Sequence, residues 1–255
     1  MRAVKIKINS TRISPKINKK KIKWATNFLK SKIKKNIYLN IEKVECILID
    51  YNSLNIEKFK KIYFKNNIEE SFSINPIQNN FKKVLVYGHD TRGLIYAITE
   101  IADRIENLTT KKNHLKRIFY QTTEIPKTKI RSISKCFESD IEDLNWFYNK
   151  TMWKEYLDML VSNRFNRFTF TLGMQYNYPY GNEFIKDVYF YLAYPFLVKP
   201  KGYKIYAERI NKNIRDKNLK IIKFISEETS KRGLDFQLAL WTQKYDFDRV
   251  PNANY

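Results

Sequence analysis

Strands that alternate with amphipathic helices constrain this chain more than any other feature. Residues 130–137 read as a strand, followed by an acidic loop, a helix over 151–163 and a second strand over 165–172. Farther on, 216–231 has helical spacing, Arg232 and Gly233 make a turn, and 234–241 reads as a third strand. Such alternation signals βαβ units and a parallel sheet. The pattern is that of an opening parallel β/α barrel, yet a closed eight-stranded barrel takes about 250 residues. Here residues 126–255 supply three strands, and the chain stops at Tyr255. The expectation is an α/β protein ending in the first three β/α units of an incomplete TIM-type barrel, truncated just past the third strand.

The other half has its own pattern. An edge strand is expected at 4–8, and a helix at 19–35 with Ile22, Ala25, Phe28, Leu29 and Ile33 near helical spacing. Strands are expected at 43–50 and 82–87, while 56–64 fits a short helix or a strand. The strand at 82–87 runs through Gly88-His89-Asp90-Thr91-Arg92-Gly93 into a helix over 94–107. Leu94, Ile95, Ala97, Ile98, Ile101, Ala102 and Ile105 form that helix's apolar face, and Asp90 or Thr91 can cap its first amides. These elements make a small α/β accessory domain over 1–125. The polar stretch 108–129, with Pro126 near its end, marks the boundary to a second domain over 126–255.

Gly88 and Gly93 have the spacing of a phosphate loop, but Leu94 and Ile95 stand where that motif needs Lys and Ser/Thr. The G-x-G-x-x-G pattern of a dinucleotide site is also missing. A capped strand-to-helix turn is the reading, with His89 a turn residue and no nucleotide cofactor. Cys46 and Cys136 make no disulfide framework. Neither His89 nor His114 has metal-ligand spacing to a cysteine, so no metal is expected. No apolar run reaches the length of a signal peptide or a membrane span, which makes a cytoplasmic protein the default and a membrane partner unexpected.

The formal charge of +22 invites a nucleic-acid reading, but it is unevenly placed. Residues 1–41 hold thirteen Lys and Arg and no Asp or Glu, whereas 126–255 hold 22 basic and 15 acidic side chains. A nucleic-acid binder would act through 1–41, far in sequence from the aromatic-rich loops, and ranks last among the readings. Much of the lysine follows from a preference for residues with A/T-rich codons. The lysine face of the 19–35 helix reads first as a solvated side, with contact to phosphate or acidic lipid as the alternative.

The loops after the three barrel strands hold the candidate chemistry, because in parallel barrels those loops build the active site. Glu138, Asp140, Glu142 and Asp143 follow the first strand; they suit sugar hydroxyls, a metal or acid–base work, or simply a solvated helix start. Gly173-Met-Gln-Tyr-Asn-Tyr-Pro-Tyr-Gly181 follows the second and opens a connection far longer than a usual βα loop. Trp241-Thr-Gln-Lys-Tyr-Asp246 follows the third. Aromatic faces stack on sugar rings, and amides bond hydroxyls; the rings can equally pack on the barrel rim.

With those residues in view, a resemblance emerges. Val84-Leu-Val-Tyr-Gly88 followed by Asp90-Thr-Arg-Gly-Leu-Ile-Tyr-Ala97 resembles the close of the α/β domain that precedes the barrel in β-N-acetylhexosaminidases and α-glucuronidases. Lys129-Ile-Arg-Ser-Ile-Ser, the helix, and Asn163-Arg-Phe-Asn-Arg-Phe-Thr-Phe resemble the first barrel strand, helix and second strand of the same enzymes, in the same order. The resemblance covers 80–255. It implies a glycoside hydrolase-like protein acting on O-glycosidic bonds, with carbohydrate as partner and no cofactor. It also implies that Arg131, in the place of a family arginine, binds sugar hydroxyls. Ser132 stands where the hexosaminidases usually have glycine, and Thr169-Phe-Thr-Leu-Gly173 lacks their histidine and aspartate, which favours an α-glucuronidase-like or separate branch.

The family's catalytic acids sit on later strands, so the catalytic residues are expected beyond this chain, and Glu138, Asp140 and Asp246 are not assigned that role. The expected substrate-binding residues are Arg131, Glu138, Gln175, Tyr176, Trp241 and Gln243. Two alternatives remain beside the glycosidase reading: a non-catalytic carbohydrate-binding or remnant protein, and a basic nucleic-acid binder.

Overall fold

The computed structural model describes residues 6–36, 44–53, 68–77, 81–137, 140–172, 196–199, 201–202 and 210–240. Two compact units emerge. The first comprises 1–131 with 160–166 and 231–233; the second comprises 132–159, 167–230 and 234–255.

In the first unit a five-stranded mixed sheet has the order β1-β2-β4-β3-β5. Its strands are β1 (Ile6–Asn9), β2 (Val44–Asp50), β3 (Phe72–Pro76), β4 (Lys83–Gly88) and β5 (Thr122–Glu124). β1, β2 and β4 are parallel, while β3 runs antiparallel to both β4 and β5. Helices α1 (Lys19–Lys35) and α2 (Thr91–Glu106) pack against one another and cover one sheet face. The residues that α1 buries are Ile22, Ala25 and Leu29, three of the five placed on its apolar face by spacing alone. α2 buries all seven residues expected of it. Asn18 caps α1 by accepting from the amides of Lys20 and Lys21, at 3.1 and 3.2 Å.

The turn from β4 to α2 explains both of its glycines. A Cβ at Gly88 would lie 2.1 Å from the Leu94 amide nitrogen, and one at Gly93 would lie 2.3 Å from the Ser71 carbonyl oxygen. Asp90 caps the helix by accepting from the Gly93 amide at 2.9 Å. Its other carboxylate oxygen accepts from the Glu70 amide, also at 2.9 Å. The turn is therefore a close-packed backbone junction, as the capped-turn reading expects.

Residues 108–129 hold more structure than a polar linker. α3 (His114–Phe119) buries Ile118 and Phe119, and β5 follows it directly. β3 also carried no strong sequence signal: Phe72 and Ile74 alternate over a run too short to stand out, and Pro76 closes it.

The second unit holds a three-stranded parallel sheet in chain order, β6 (Ser132–Phe137), β7 (Arg167–Leu172) and β8 (Asp235–Leu240). Two helices, α4 (Asp140–Phe147) and α5 (Lys150–Ser162), connect β6 to β7. α6 (Lys212–Lys231) precedes β8. Asp140, Glu142 and Asp143, expected in a loop after the first strand, thus lie in α4. One face of the sheet is packed with rings. Phe137, Phe147, Trp153, Phe168 and Phe170 are fully buried, and Trp146 and Phe196 join the same cluster. The buried Trp153 indole donates to the Phe147 carbonyl at 2.8 Å, so its one polar atom is satisfied.

Gly88→Ala is expected to destabilise the protein by about 1–3 kcal/mol or more, because the new methyl group meets backbone that cannot swing away. Trp153→Ala is expected to cost about 3–5 kcal/mol through the cavity it leaves. Urea denaturation of the two variants beside the parent chain measures both.

Candidate functional site

The best-formed constellation of charged groups lies in the first unit and is centred on Glu70. Its carboxylate accepts from Arg92 Nη1 at 2.9 Å, from Arg131 Nη2, and from Asn166 Nδ2 at 3.1 Å to either oxygen. Arg92 continues to the Gly233 carbonyl, and Asn166 to the Lys129 carbonyl at 2.7 Å. The backbones of Arg131 and Asn166 are joined as well: the Arg131 amide donates to Asn166 Oδ1, and the Asn166 amide to the Arg131 carbonyl. Tyr96 closes this side, accepting from Arg131 Nη2 at 3.3 Å and donating to the Phe165 carbonyl at 2.9 Å.

A second knot adjoins the first. Arg164 pairs with Glu124 at 3.0 Å and with Glu100, and donates to the Ser162 carbonyl. Arg104 holds the other oxygen of Glu100 at 2.8 Å and reaches Thr122 and the carbonyls of Ile118 and Tyr120. Glu70 and Arg164 both have left-handed backbones, with φ of 63° and 65°. Neither is glycine, so each conformation costs energy, and the side-chain network over-determines it.

The electrostatics follow from this geometry. Burial alone would raise the Glu70 carboxyl, but hydrogen bonds from Arg92, Arg131 and Asn166 outweigh it and hold the group below the usual range. At Glu100, too, burial raises the carboxyl, and the charge of Arg164 with the bond from Arg104 brings it below normal. Asp103 goes the other way. Burial pushes it up to about 6, and Arg164 and Ser162 only partly offset that. Burial, reinforced by Glu45, pushes the Cys46 thiol up to about 12, which leaves it inert as a nucleophile. The Glu70 carboxylate, ringed by donors, is chemically a brace. Among the described residues, no group of three or more His, Cys, Asp or Glu side chains is arranged to hold a metal. No helix there is long and apolar enough to cross a membrane.

Arg131 is the one expected substrate-binding residue that lies within the described residues. It immediately precedes β6, and its guanidinium is held by Glu70, Tyr96 and the carbonyls of Thr128 and Arg164. Glu138, Gln175, Tyr176, Trp241 and Gln243 lie outside the described residues. Of the acidic cluster, Asp143 accepts from the Trp146 indole at 2.8 Å.

Opposite its aromatic face, the sheet of the second unit carries small polar side chains that sequence reasoning did not single out. The register aligns Ser134, Thr169 and Gln237 across β6, β7 and β8, and next to them Cys136, Thr171 and Ala239. Ser134 and Thr171 hydroxyls lie 3.0 Å apart, and Thr169 donates to Gln237 at 3.4 Å. The signal was the strict alternation in Arg167-Phe-Thr-Phe-Thr-Leu172, whose phenylalanines drew attention away from its threonines. Hydroxyls and an amide on one face suit hydrogen bonding to water or to sugar hydroxyls.

No family model matches the chain, and no curated protein matches it. Solved structures do. A GH138 enzyme targeting pectin rhamnogalacturonan II aligns with a TM-score of 0.58 and 22% identity, over 91% of this chain and 24% of that one. A GH115 4-O-methyl-α-glucuronidase with specificity for decorated arabinogalactans aligns at 0.49 and 11% identity, over 92% and 35%. A GH84 structure aligns at 0.44 and 13% identity, over 91% and 33%. The chain is thus similar in fold to part of the GH138 enzyme, a glycoside hydrolase-like α/β fold, and spans about a quarter of that enzyme's length.

Two outcomes follow from the charge network. Glu70→Gln removes the charge facing two arginines at a half-buried site and is expected to cost about 1.5–3 kcal/mol, the usual worth of hydrogen bonds to a charged group. In the parent chain, the stabilisation from Glu70 is complete above its unfolded value near 4.5 and fades as pH falls through the depressed folded value. Asp103 has the opposite sign, since its folded value is raised. Ionising it costs stability as pH rises from about 3.8 to about 6. Asp103→Asn should therefore raise the thermal midpoint at pH 7.5 and leave it unchanged near pH 3 (melting curves across pH).

Proposed function

We propose that this chain is the N-terminal portion of a glycoside hydrolase-like protein acting on O-glycosidic bonds. The observation that carries the reading is the fold likeness to the GH138 enzyme over 91% of the chain. The in-order parallel sheet β6-β7-β8 supports it. In this reading 1–125 is an accessory α/β domain, and the second sheet is the first three β/α units of a TIM-type barrel with its hydroxyl-bearing face inward. The aromatic cluster on the other face then packs against the outer helices, as in a barrel wall.

The mechanism divides accordingly. Glu138 after the first strand, Gln175 and Tyr176 after the second, and Trp241 and Gln243 after the third bind the sugar by stacking and hydrogen bonds. Arg131 binds sugar hydroxyls, its guanidinium oriented by Glu70. Hydrolysis generally needs a positioned carboxylic acid and a second carboxylate, or a group on the substrate in its place. Those acids come from sequence outside residues 1–255.

The test is direct. Chain 1–255 should release nothing from a panel of aryl glycosides or pectic oligosaccharides. It should bind oligosaccharide weakly in saturation-transfer NMR, and Trp241→Ala should abolish that signal. Hydrolysis by 1–255 itself would refute the placement of the acids, and absence of any glycan binding would refute the sugar-binding loops.

A further inference from the structure

Strand β1 lies at the edge of the five-stranded sheet, paired with β2 on one side. Alternate residues of such a strand direct their N–H and C=O groups outward, a template for a further strand. Along this edge, between β1 and α1, runs a cleft of about 570 Å³. Its lining includes Ile6, Lys7 and Ile8 in succession. Successive residues of a strand point to opposite faces, so a cleft touching all three meets the strand along its edge. Ile13 and Ile22 also line it, and its α1 wall includes Lys19, Lys23 and Lys30.

Those three lysines share one face of α1. At 3.6 residues per turn, positions i, i+4 and i+11 fall within about 40° of one another. All three are exposed, as is Lys7. Residues 1–41 contain no carboxylate to neutralise them; among the described residues, Glu45 of β2 approaches Lys7 at 3.9 Å. The rise from Lys19 to Lys23 is about 6 Å, close to the roughly 6.7 Å between alternate residues of a strand.

We propose that the β1 edge is a docking site for an extended, acidic segment of a second protein, which adds to the sheet as a sixth strand. The partner's main chain pairs with β1; its side chains on the α1 side lie over Ile6 and Ile8 and bring carboxylates to Lys19, Lys23 and Lys30, and a carboxylate on the other side meets Lys7. This occupant uses all three features of the groove. A nucleic acid would use the lysines and leave the strand edge and the isoleucines unexplained. A second copy of this chain would set lysine against lysine. Lysine on an edge strand commonly guards against unwanted pairing, and here the guard has a sign: it repels basic strands and admits acidic ones. The proposal is independent of the glycosidase reading.

Fluorescence anisotropy with the full 255-residue chain tests it, using a labelled peptide of about eight residues built from Glu and Val with glutamates on both strand faces. Saturable binding that weakens with salt is expected. The same peptide N-methylated at alternate amides keeps its charge but loses strand pairing, and should bind at least roughly tenfold more weakly. A Lys23→Glu, Lys30→Glu double variant should lose at least about tenfold with an unchanged circular dichroism spectrum and melting curve. Lys220→Glu on α6 is the control and should bind as the parent does. Four results would overturn the proposal: no binding of the acidic peptide, equal binding of the N-methylated peptide, equal or tighter binding of oligothymidylate, or dimerisation that the double variant abolishes.

Discussion

The first unit depends on one carboxylate. Glu70 sits beside the β3 strand and holds Arg92 at the start of α2, Arg131 at the close of 1–131, and Asn166 from the returning stretch 160–166. These segments are far apart in sequence, and ordering them costs backbone entropy that a single contact does not offset. A half-buried anion with three donors around it offsets that cost only as a complete set. Remove one member and the rest become unpaired charges in a poor solvent for charge. That reciprocity explains why two non-glycine residues, Glu70 and Arg164, keep left-handed backbones. Each conformation aims a side chain into the network, and the network returns more than the local strain takes.

Asp90 links this brace to the hydrophobic core. One of its oxygens caps α2, and the other fixes the amide of Glu70 itself. The helix that buries the largest apolar face of the unit and the carboxylate that gathers its distant segments are thus set by the same side chain. The close approaches at Gly88 and Gly93 follow, since the junction allows no room for a Cβ. What the glycine spacing suggested superficially, a phosphate cradle, is here a solution to packing a strand end, a helix start and the Ser71 carbonyl against one another.

Local periodicity carried most of the fold. Ile22, Ala25 and Leu29 announce α1, and the alternation in Arg167-Phe-Thr-Phe-Thr-Leu172 announces β7, because their burial repeats with the period of their own element. β3, α3 and β5 escaped because three to six residues give too few repeats to show a period. The charge network escaped for a different reason. Glu70 and Arg131 are 61 residues apart, and Glu70 and Asn166 are 96 apart; nothing in the neighbourhood of one predicts the other. Arg131 shows the limit most clearly. Its place at the start of a strand was legible, yet its engagement by Glu70 and Tyr96 depends on segments that only the fold assembles.

The two units distribute polarity in opposite ways, and this bears on where chemistry belongs. In the first, buried charges are fully partnered around Glu70 and Glu100, an arrangement that resists exchange of any member for a ligand. In the second, the middle of the sheet's hydroxyl-bearing face is neutral, with Arg167 and Asp235 at one end of it: Ser134, Thr169, Thr171 and Gln237 bond one another through single contacts of 3.0–3.4 Å. Neutral hydroxyls and amides bound this loosely exchange partners at low cost, because each lost bond is worth only about 1 kcal/mol net. A sheet face of that kind tolerates water or a neutral polyol.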